Sequence, residues 1–143
     1  MKKLSVIPLA IFAVLFAASA VADDKDKGDK KVDQRVFEIR TYHAAEGKMD
    51  ALNARFRDHT NKLFKKHGME IIGFWQPADP KEAQRKLIYI LAYPSREAAR
   101  KSWDAFRDDP DWKKVKAASE TNGTLVEKVE SVYMNPTDYS PIK

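Results

Sequence analysis

Four stretches of the chain alternate apolar and polar side chains in the way that is typical of β-strands. Each stretch is rich in β-branched and aromatic residues, which suit a pleated surface that is partly buried. Prolines end the second and third stretches, because proline cannot donate a hydrogen bond to a neighbouring strand. The predicted strands are residues 34–42, 69–76, 86–93 and 124–134.

Three helices are predicted between these strands. Residues 46–67 carry apolar side chains at intervals of three and four and end at Gly68, a typical C-terminal cap. Ser95 is the expected N-cap of a second helix. Asp109 and Pro110 cap and begin a third, shorter helix.

The order β-α-β-β-α-β, with the short helix after the second long one, is that of the split βαβ or ferredoxin-like arrangement. The predicted fold class is therefore α+β. Its core is a four-stranded antiparallel sheet with both long helices on one face.

The opposite face of this predicted sheet has no helix to cover it. An uncovered face should carry polar residues at alternate positions, but in the third strand Ile88 and Ile90 point to one side and Leu87 and Tyr89 to the other. A second apolar face left in water marks an interface. We therefore expect a homodimer in which two sheets pack face to face. The alternative is a monomer whose second face is covered by the C-terminal tail and the short helix.

The first strand adds charged residues to this picture. With Phe37 and Ile39 facing the helices, Glu38, Arg40 and Tyr42 would face the interior of the dimer. Charge there is costly unless it is paired. Two interpretations stay open: a few polar groups in an apolar cavity line a small-ligand site, or a Glu38–Arg40 ion pair only fixes strand register or dimer geometry.

The N-terminal residues predict export. Two lysines precede an uncharged stretch, residues 4–22, that ends in small residues, which is the pattern of a secretory signal peptide with cleavage after Ala22. An uncleaved membrane anchor is the alternative, because the stretch is long enough to span a bilayer. Residues 23–33 are almost entirely Asp and Lys, which predicts a solvated, disordered tether. The folded domain is then residues 34–143 of a periplasmic or secreted protein, with no membrane contact after cleavage.

The composition excludes several kinds of chemical site. The chain has 143 residues, enough for one domain, and no cysteine, which excludes disulfides, thiolate metal sites and a cysteine nucleophile. The formal net charge is +5. The basic cluster Lys62, Lys65, Lys66 and His67 ends the first predicted helix, where positive charge complements the helix dipole. No nucleic-acid partner is predicted.

The remaining motifs give little evidence of catalysis. The histidines His43, His59 and His67 form no HxxxH or HExxH pair, so no metal site is predicted. A nucleophile elbow, a P-loop and a dinucleotide fingerprint are missing from the sequence, and no cofactor is predicted. His43 follows the first strand at the mouth of the expected cavity, where a histidine could move protons near neutral pH; a solvated loop histidine is the alternative.

Several segments together resemble a known family. They are Val36–Tyr42 with Gly47-Lys48, Gly73-Phe74-Trp75, Leu87–Tyr93, Trp103-x-x-Phe106, Asp109-Pro110-x-Trp112 and Pro136–Ser140. In order and spacing they resemble the NIPSNAP family, within the dimeric α/β-barrel group. The resemblance implies a ferredoxin-like subunit and a dimer but no settled activity. Family members are associated with vesicular traffic and mitochondrial quality control in animals, and the wider group includes cofactor-free monooxygenases and haem-handling enzymes.

Three functions are compatible with the sequence, and whether the protein is an enzyme stays open. The first is an exported homodimer that binds a small apolar or aromatic molecule between its sheets. The second is a cofactor-independent, monooxygenase-like enzyme that stabilises a deprotonated substrate through Tyr42, His43 or Arg40. The third is a protein-interaction module without a ligand. The candidate ligand-binding residues are Glu38, Arg40, Tyr42, His43, Trp75 and Tyr89.

Overall fold

The computed structural model describes residues 35–143. The predicted signal peptide (residues 1–22) and tether (residues 23–33) lie outside the described residues and stay predictions. The strands are β1 (Val36–Ala44), β2 (Glu70–Trp75), β3 (Lys86–Tyr93) and β4 (Val126–Met134). The helices are α1 (Met49–Arg55), α2 (Asn61–Lys66), α3 (Pro80–Ala83), α4 (Arg96–Asp108) and α5 (Pro110–Ser119), with a π-helical segment (Phe56–Thr60) between α1 and α2.

The four strands form one antiparallel sheet in the order β2-β3-β1-β4. This order is the ferredoxin-like arrangement, so the predicted α+β fold is confirmed. The helix α2 packs against β2 and α4 against β3, while α5 packs against α1 and α4. The short helix therefore adds to the helix layer and does not cover the open face of the sheet.

The predicted helix boundaries have the expected caps. Gly68 has φ +74°, the left-handed conformation that glycine adopts at low cost after a helix. The Ser95 side chain accepts a hydrogen bond from the Ala98 N–H at 3.1 Å, and the Asp109 carboxylate accepts one from the Asp111 N–H at 2.8 Å. Both side chains satisfy amide groups that have no partner within the helix.

Two local features differ from the prediction. The single helix expected over residues 46–67 is interrupted by the π-helical segment, where the Thr60 hydroxyl donates to the Arg55 carbonyl at 3.2 Å. The proline-rich stop after β2 contains the helix α3, whose N-cap Asp79 accepts from the Lys81 and Glu82 amides at 3.0 Å each. Asp79-Pro80 is the same capping signal as Asp109-Pro110, so α3 was predictable.

The faces of β1 are the reverse of the prediction. Glu38 and Arg40 lie opposite Leu91 and Tyr89 of β3, and these two residues are completely buried in the core beneath the helices. Phe37, expected under the helices, lies on the open face. Both sets of alternate residues in the central strands are largely apolar, so the pattern shows which residues share a face but not which face the helices cover.

The open face is apolar and only partly covered. Its partly exposed residues include Ile39, Ile88 and Ile90, and Val132 keeps 57% of its surface exposed. The C-terminal tail crosses one end, where Phe37 and Ile142 border a hollow of about 290 Å³ and Phe37 is only 7% exposed. Among residues 35–143, the tail therefore covers one end of the face. Among residues 35–143, no helix has both the length and the apolar character needed to cross a membrane.

Candidate functional site

A buried carboxylate lies between the sheet and α4. The Glu38 side chain is completely buried. Its Oε2 accepts hydrogen bonds from the Tyr93 hydroxyl at 2.8 Å and the Trp103 indole N–H at 2.7 Å. Its Oε1 accepts from the Ser131 hydroxyl and from Arg40 Nη1, both at 2.6 Å. Three strands and one helix thus contribute to a single network around one side chain.

These contacts decide the protonation state of Glu38. Burial favours the neutral acid, but the hydrogen bonds from Ser131, Trp103 and Tyr93, together with the charge of Arg40, hold the pKa of Glu38 below its usual value. The carboxylate is therefore ionised and both of its oxygens are occupied. It cannot take a proton from a ligand without losing a bond, so its role is to position its neighbours.

Arg40 is the neighbour that Glu38 positions most directly. Its Cζ lies 4.3 Å from the centroid of the Trp103 ring, so the ion pair and a cation–π contact hold the same guanidinium. Burial opposes its charge, but the nearby Tyr89, Tyr42 and Glu38 side chains hold the pKa of Arg40 above its usual value. Arg40 is a fixed positive charge.

Two buried donors beside this pair have no acceptor among the described residues. They are the Nε of Arg40 and the hydroxyl of Tyr89, which occupy facing positions on β1 and β3. Buried polar groups in folded proteins nearly always have partners. Glu38 and Arg40 form the floor of the site, and this floor therefore has unused hydrogen-bonding capacity.

Above this floor lies an open cleft of about 530 Å³ between α4 and the β1–β4 half of the sheet. It exists because β4 is an edge strand beyond the helix layer, so that Ser131 and Val129, on the helix side of β4, stay exposed. The lining includes four arginines and two glutamates, a formal excess of two positive charges. The lining residues are Glu38, Arg40, Arg96, Glu97, Arg100, Trp103, Arg107, Ser131 and Tyr133.

The arginines on α4 differ in how they are paired. Arg107 is 2.6 Å from Asp104, and Arg100 is 3.4 Å from Asp104 and 3.7 Å from Glu97. Arg96 instead stacks on Tyr133, with its Cζ 3.2 Å from the ring centroid. Within residues 35–143 it has no carboxylate within 4.0 Å. Among residues 35–143, Arg96 is the arginine at the rim of the cleft that has no carboxylate partner.

The structure brings only two of the six predicted site residues into this cleft, Glu38 and Arg40. Tyr42 and Tyr89 lie beneath it in the aromatic core, with ring centroids 5.3 Å apart and Phe56 packed against both. Their rings contribute to the packing of the core.

The other two predicted residues lie on the open face. Trp75, on the edge strand β2, is 49% exposed and its indole covers Gly73. His43 Nε2 lies 3.2 Å from Glu130 Oε1. Neither residue is near the cleft floor, so the predicted site divides into three separate places.

The prediction missed the residues that line the α4 wall. Arg96, Arg100, Trp103 and Arg107 are spaced by four, three and four residues, which places them on one face of a helix. This spacing is visible in the sequence alone. Ser131 and Tyr133 could not have been found, because their relevance depends on the register of β4 against β1.

A second hollow, of about 670 Å³, lies between α1, the π-helical segment and α5. Small residues such as Ala51, Ala54 and Ala118 form much of its wall. Its one buried charge, Arg55, is neutralised by Glu120 at 3.0 Å. This hollow contains none of the predicted site residues, so we interpret it as a groove between packed helices.

Several solved structures of other proteins have a similar fold. A NIPSNAP family protein of unknown function from Agrobacterium tumefaciens is 22% identical, with 78% of this chain and 96% of that chain covered and a TM-score of 0.66. A second Agrobacterium tumefaciens NIPSNAP protein is 20% identical, with coverages of 76% and 99% and a TM-score of 0.66. An uncharacterised NIPSNAP domain protein from Burkholderia xenovorans is 19% identical, with coverages of 74% and 98% and a TM-score of 0.63. At these identities the likeness shows the fold alone.

None of the curated proteins compared with the chain matches it. The sequence profile of the NIPSNAP family matches residues 37–141, which is most of the chain and nearly all of the described fold. This match agrees with the segments that suggested the resemblance. The chain belongs to the NIPSNAP family.

Proposed function

We propose that this NIPSNAP domain binds a small aromatic molecule in the cleft between α4 and the sheet. The observation that carries the proposal is the pre-organised floor, in which an ionised Glu38 with four hydrogen-bond donors holds Arg40 over the ring of Trp103. Positioning of this kind is what binding sites need, because side chains that are already fixed lose less entropy when a ligand arrives. The cleft volume falls within the range of about 300–1,000 Å³ common for small-molecule sites.

The ligand is of the class predicted from the sequence, but the binding site is a different one. The sequence placed the ligand between two sheets, whereas the cleft lies within one subunit, on the helix side. Trp103 and Tyr133 offer aromatic surface there, and Ser131 offers a hydroxyl. With the predicted export signal, the ligand would be met in the periplasm or outside the cell.

We also propose that two copies pair through their open sheet faces. The apolar centre of that face, with Ile90 and Val132, is flanked by a polar end where His43, Lys128 and Glu130 lie together. In a two-fold dimer the same patch meets itself, so opposite charges on one patch can pair across the interface. A second copy of the chain is therefore a suitable occupant of this face.

A neutral aromatic probe tests the binding proposal. N-phenyl-1-naphthylamine, which fluoresces when it leaves water, is titrated into the purified protein and into two variants of β4. Ser131→Phe fills the cleft from the sheet side. Val129→Phe places the same ring on the same face of the same strand, two residues away and outside the cleft lining.

We expect Ser131→Phe to weaken probe binding by about tenfold, equivalent to about 1.4 kcal/mol. Val129→Phe should stay within about twofold of the parent, which is within the scatter of surface substitutions. Circular dichroism spectra of both variants verify that the fold is intact. Equal binding by both variants, or no binding by the parent protein, would contradict a ligand site in this cleft.

A further inference from the structure

The charges of the cleft point to one property of its ligand. The lining has four arginines against two glutamates, and Glu38 already has all of its acceptor positions filled from within the protein. Arg100 and Arg107 are paired with Asp104, so among the described residues the positive charge of the lining that has no carboxylate partner is that of Arg96 at the rim. A neutral ligand would leave this charge uncompensated.

Arg96 shows most clearly where a negative group would bind. It occupies the first turn of α4, where the helix dipole favours acidic side chains and disfavours a positive charge. It nevertheless lies over Tyr133 at the cleft rim, with no carboxylate within 4.0 Å among the described residues. A residue that opposes its local electrostatics without a compensating partner is a mark of a functional position.

The floor contributes a second, independent observation. Arg40, which lines the cleft, has a buried Nε donor that lacks an acceptor in the described part of the chain. A buried donor without an acceptor fits an oxygen atom brought by a ligand. Charge-assisted hydrogen bonds of this type are stronger than neutral ones.

Resting on the proposed function, we propose that the ligand is a planar organic anion, with a carboxylate or a similar oxyanion held at the rim by Arg96 and Arg100. Arginine suits this role because its planar guanidinium binds an oxyanion through two parallel hydrogen bonds and stacks on flat groups. The aromatic body of the ligand lies along the cleft over Arg40. Arg96 and Arg100 are the residues that select charge, and Glu38 acts only by positioning Arg40.

Two probes that differ by one acidic group test this inference. 8-Anilinonaphthalene-1-sulfonate has the aromatic body of N-phenyl-1-naphthylamine plus a sulfonate. Both are titrated into the parent protein, the double variant Arg96→Gln/Arg100→Gln, and the control Arg57→Gln. Arg57 is exposed on the π-helical segment and is not part of the cleft lining. Ser131→Phe identifies the fraction of each signal that comes from the cleft.

The expected result is that the parent binds the sulfonate probe about tenfold more tightly than the neutral probe, equivalent to about 1.4 kcal/mol. The double variant should lose that difference because it weakens the sulfonate probe more than the neutral probe, and Arg57→Gln should change neither affinity. Added salt should weaken only the sulfonate probe.

The two possible failures can be told apart. If the neutral probe binds in a Ser131→Phe-sensitive way but the sulfonate gains nothing, the anion inference is wrong and the cleft remains a ligand site. The same holds if the double variant weakens both probes equally. If neither probe responds to Ser131→Phe, the proposed function itself fails.

Discussion

The two faces of the sheet reverse the usual distribution of polar and apolar residues. The helix side buries a carboxylate and a guanidinium, while the open side leaves Val132 and Trp75 about half exposed. The two faces differ in the partners that their residues have. Glu38 has four donors around it, whereas among residues 35–143 the open face is covered only by the C-terminal tail, at one end. Burial of polar groups follows the available hydrogen bonds, and an apolar surface without a cover indicates a partner.

Removing the buried carboxylate should be the most damaging single change on either face. Glu38→Leu leaves Arg40 as an uncompensated charge and takes the acceptor away from the Trp103 indole. We expect the free energy of unfolding to fall by about 3–5 kcal/mol, the range for breaking one side of a buried ion pair. Urea denaturation measures this value.

The exposed Glu127→Leu on β4 is the matched control and should stay within about 0.5 kcal/mol of the parent. A Glu38→Leu variant as stable as this control would show that the network contributes nothing to the fold. It would also remove the physical basis for a pre-organised cleft floor.

A pair of substitutions on β4 compares the two faces directly. Val132 lies on the open face and Val129 on the helix side, and both are largely exposed, at 57% and 42%. Val132→Asp would place an unpaired charge in the proposed dimer interface, which is costly. We expect dimer affinity to fall by tenfold or more, about 1.4 kcal/mol, while Val129→Asp leaves it unchanged.

Sedimentation velocity over a concentration series measures both variants. Equal effects of the two aspartates would place the interface elsewhere. A parent protein that sediments as a single subunit at micromolar concentration would contradict the dimer, and the open face would then need another cover.

The protonation of Glu38 should make the stability of the protein depend on pH, and this dependence reports on the helix side of the sheet. Because the pKa of Glu38 is lower in the folded state than its ordinary value of 4.5, its contribution to stability is fully present above that value. The contribution is lost as the pH falls through the lowered folded pKa. Glu38→Gln has no such titration.

The measurement is the difference in unfolding free energy between the parent protein and Glu38→Gln from pH 7 to pH 2.5. The parent should lose its advantage only in the acid range. Taking the difference removes contributions shared by both proteins, including those of Asp109 and Glu130, whose pKa values are also lowered by neighbouring lysines. A constant difference across the range would contradict the assignment of an ionised Glu38.

The smallest effect is expected at His43. Its partner Glu130 is half exposed, and such surface pairs contribute about 0–1 kcal/mol. His43→Ala should therefore change stability little, and probe affinity in the cleft should stay the same because the residue lies on the open face. A large loss of probe binding in this variant would move the site to the face where the sequence first placed it.

Much of the fold could be predicted because the sequence patterns that determine its strands and helix ends are local. Residues 86–93 are β3 as predicted, and Ser95 and Pro110 begin their helices as expected. The choice of covered face could not be predicted, since it depends on long-range packing of strands that are apolar on both sides. The same limit applies to the site. Glu38 and Arg40 were identified as a pair, but only the three-dimensional register brings Ser131 to them.

The most direct test of the account compares indole signals from the two faces. Trp103 lines the cleft and Trp75 lies on the open face. In ¹H–¹⁵N spectra each indole N–H gives its own resonance, assigned by Trp→Phe variants. On addition of 8-anilinonaphthalene-1-sulfonate, we expect the Trp103 resonance to shift and the Trp75 resonance to stay in place. A shift of Trp75 with Trp103 unchanged would contradict the account.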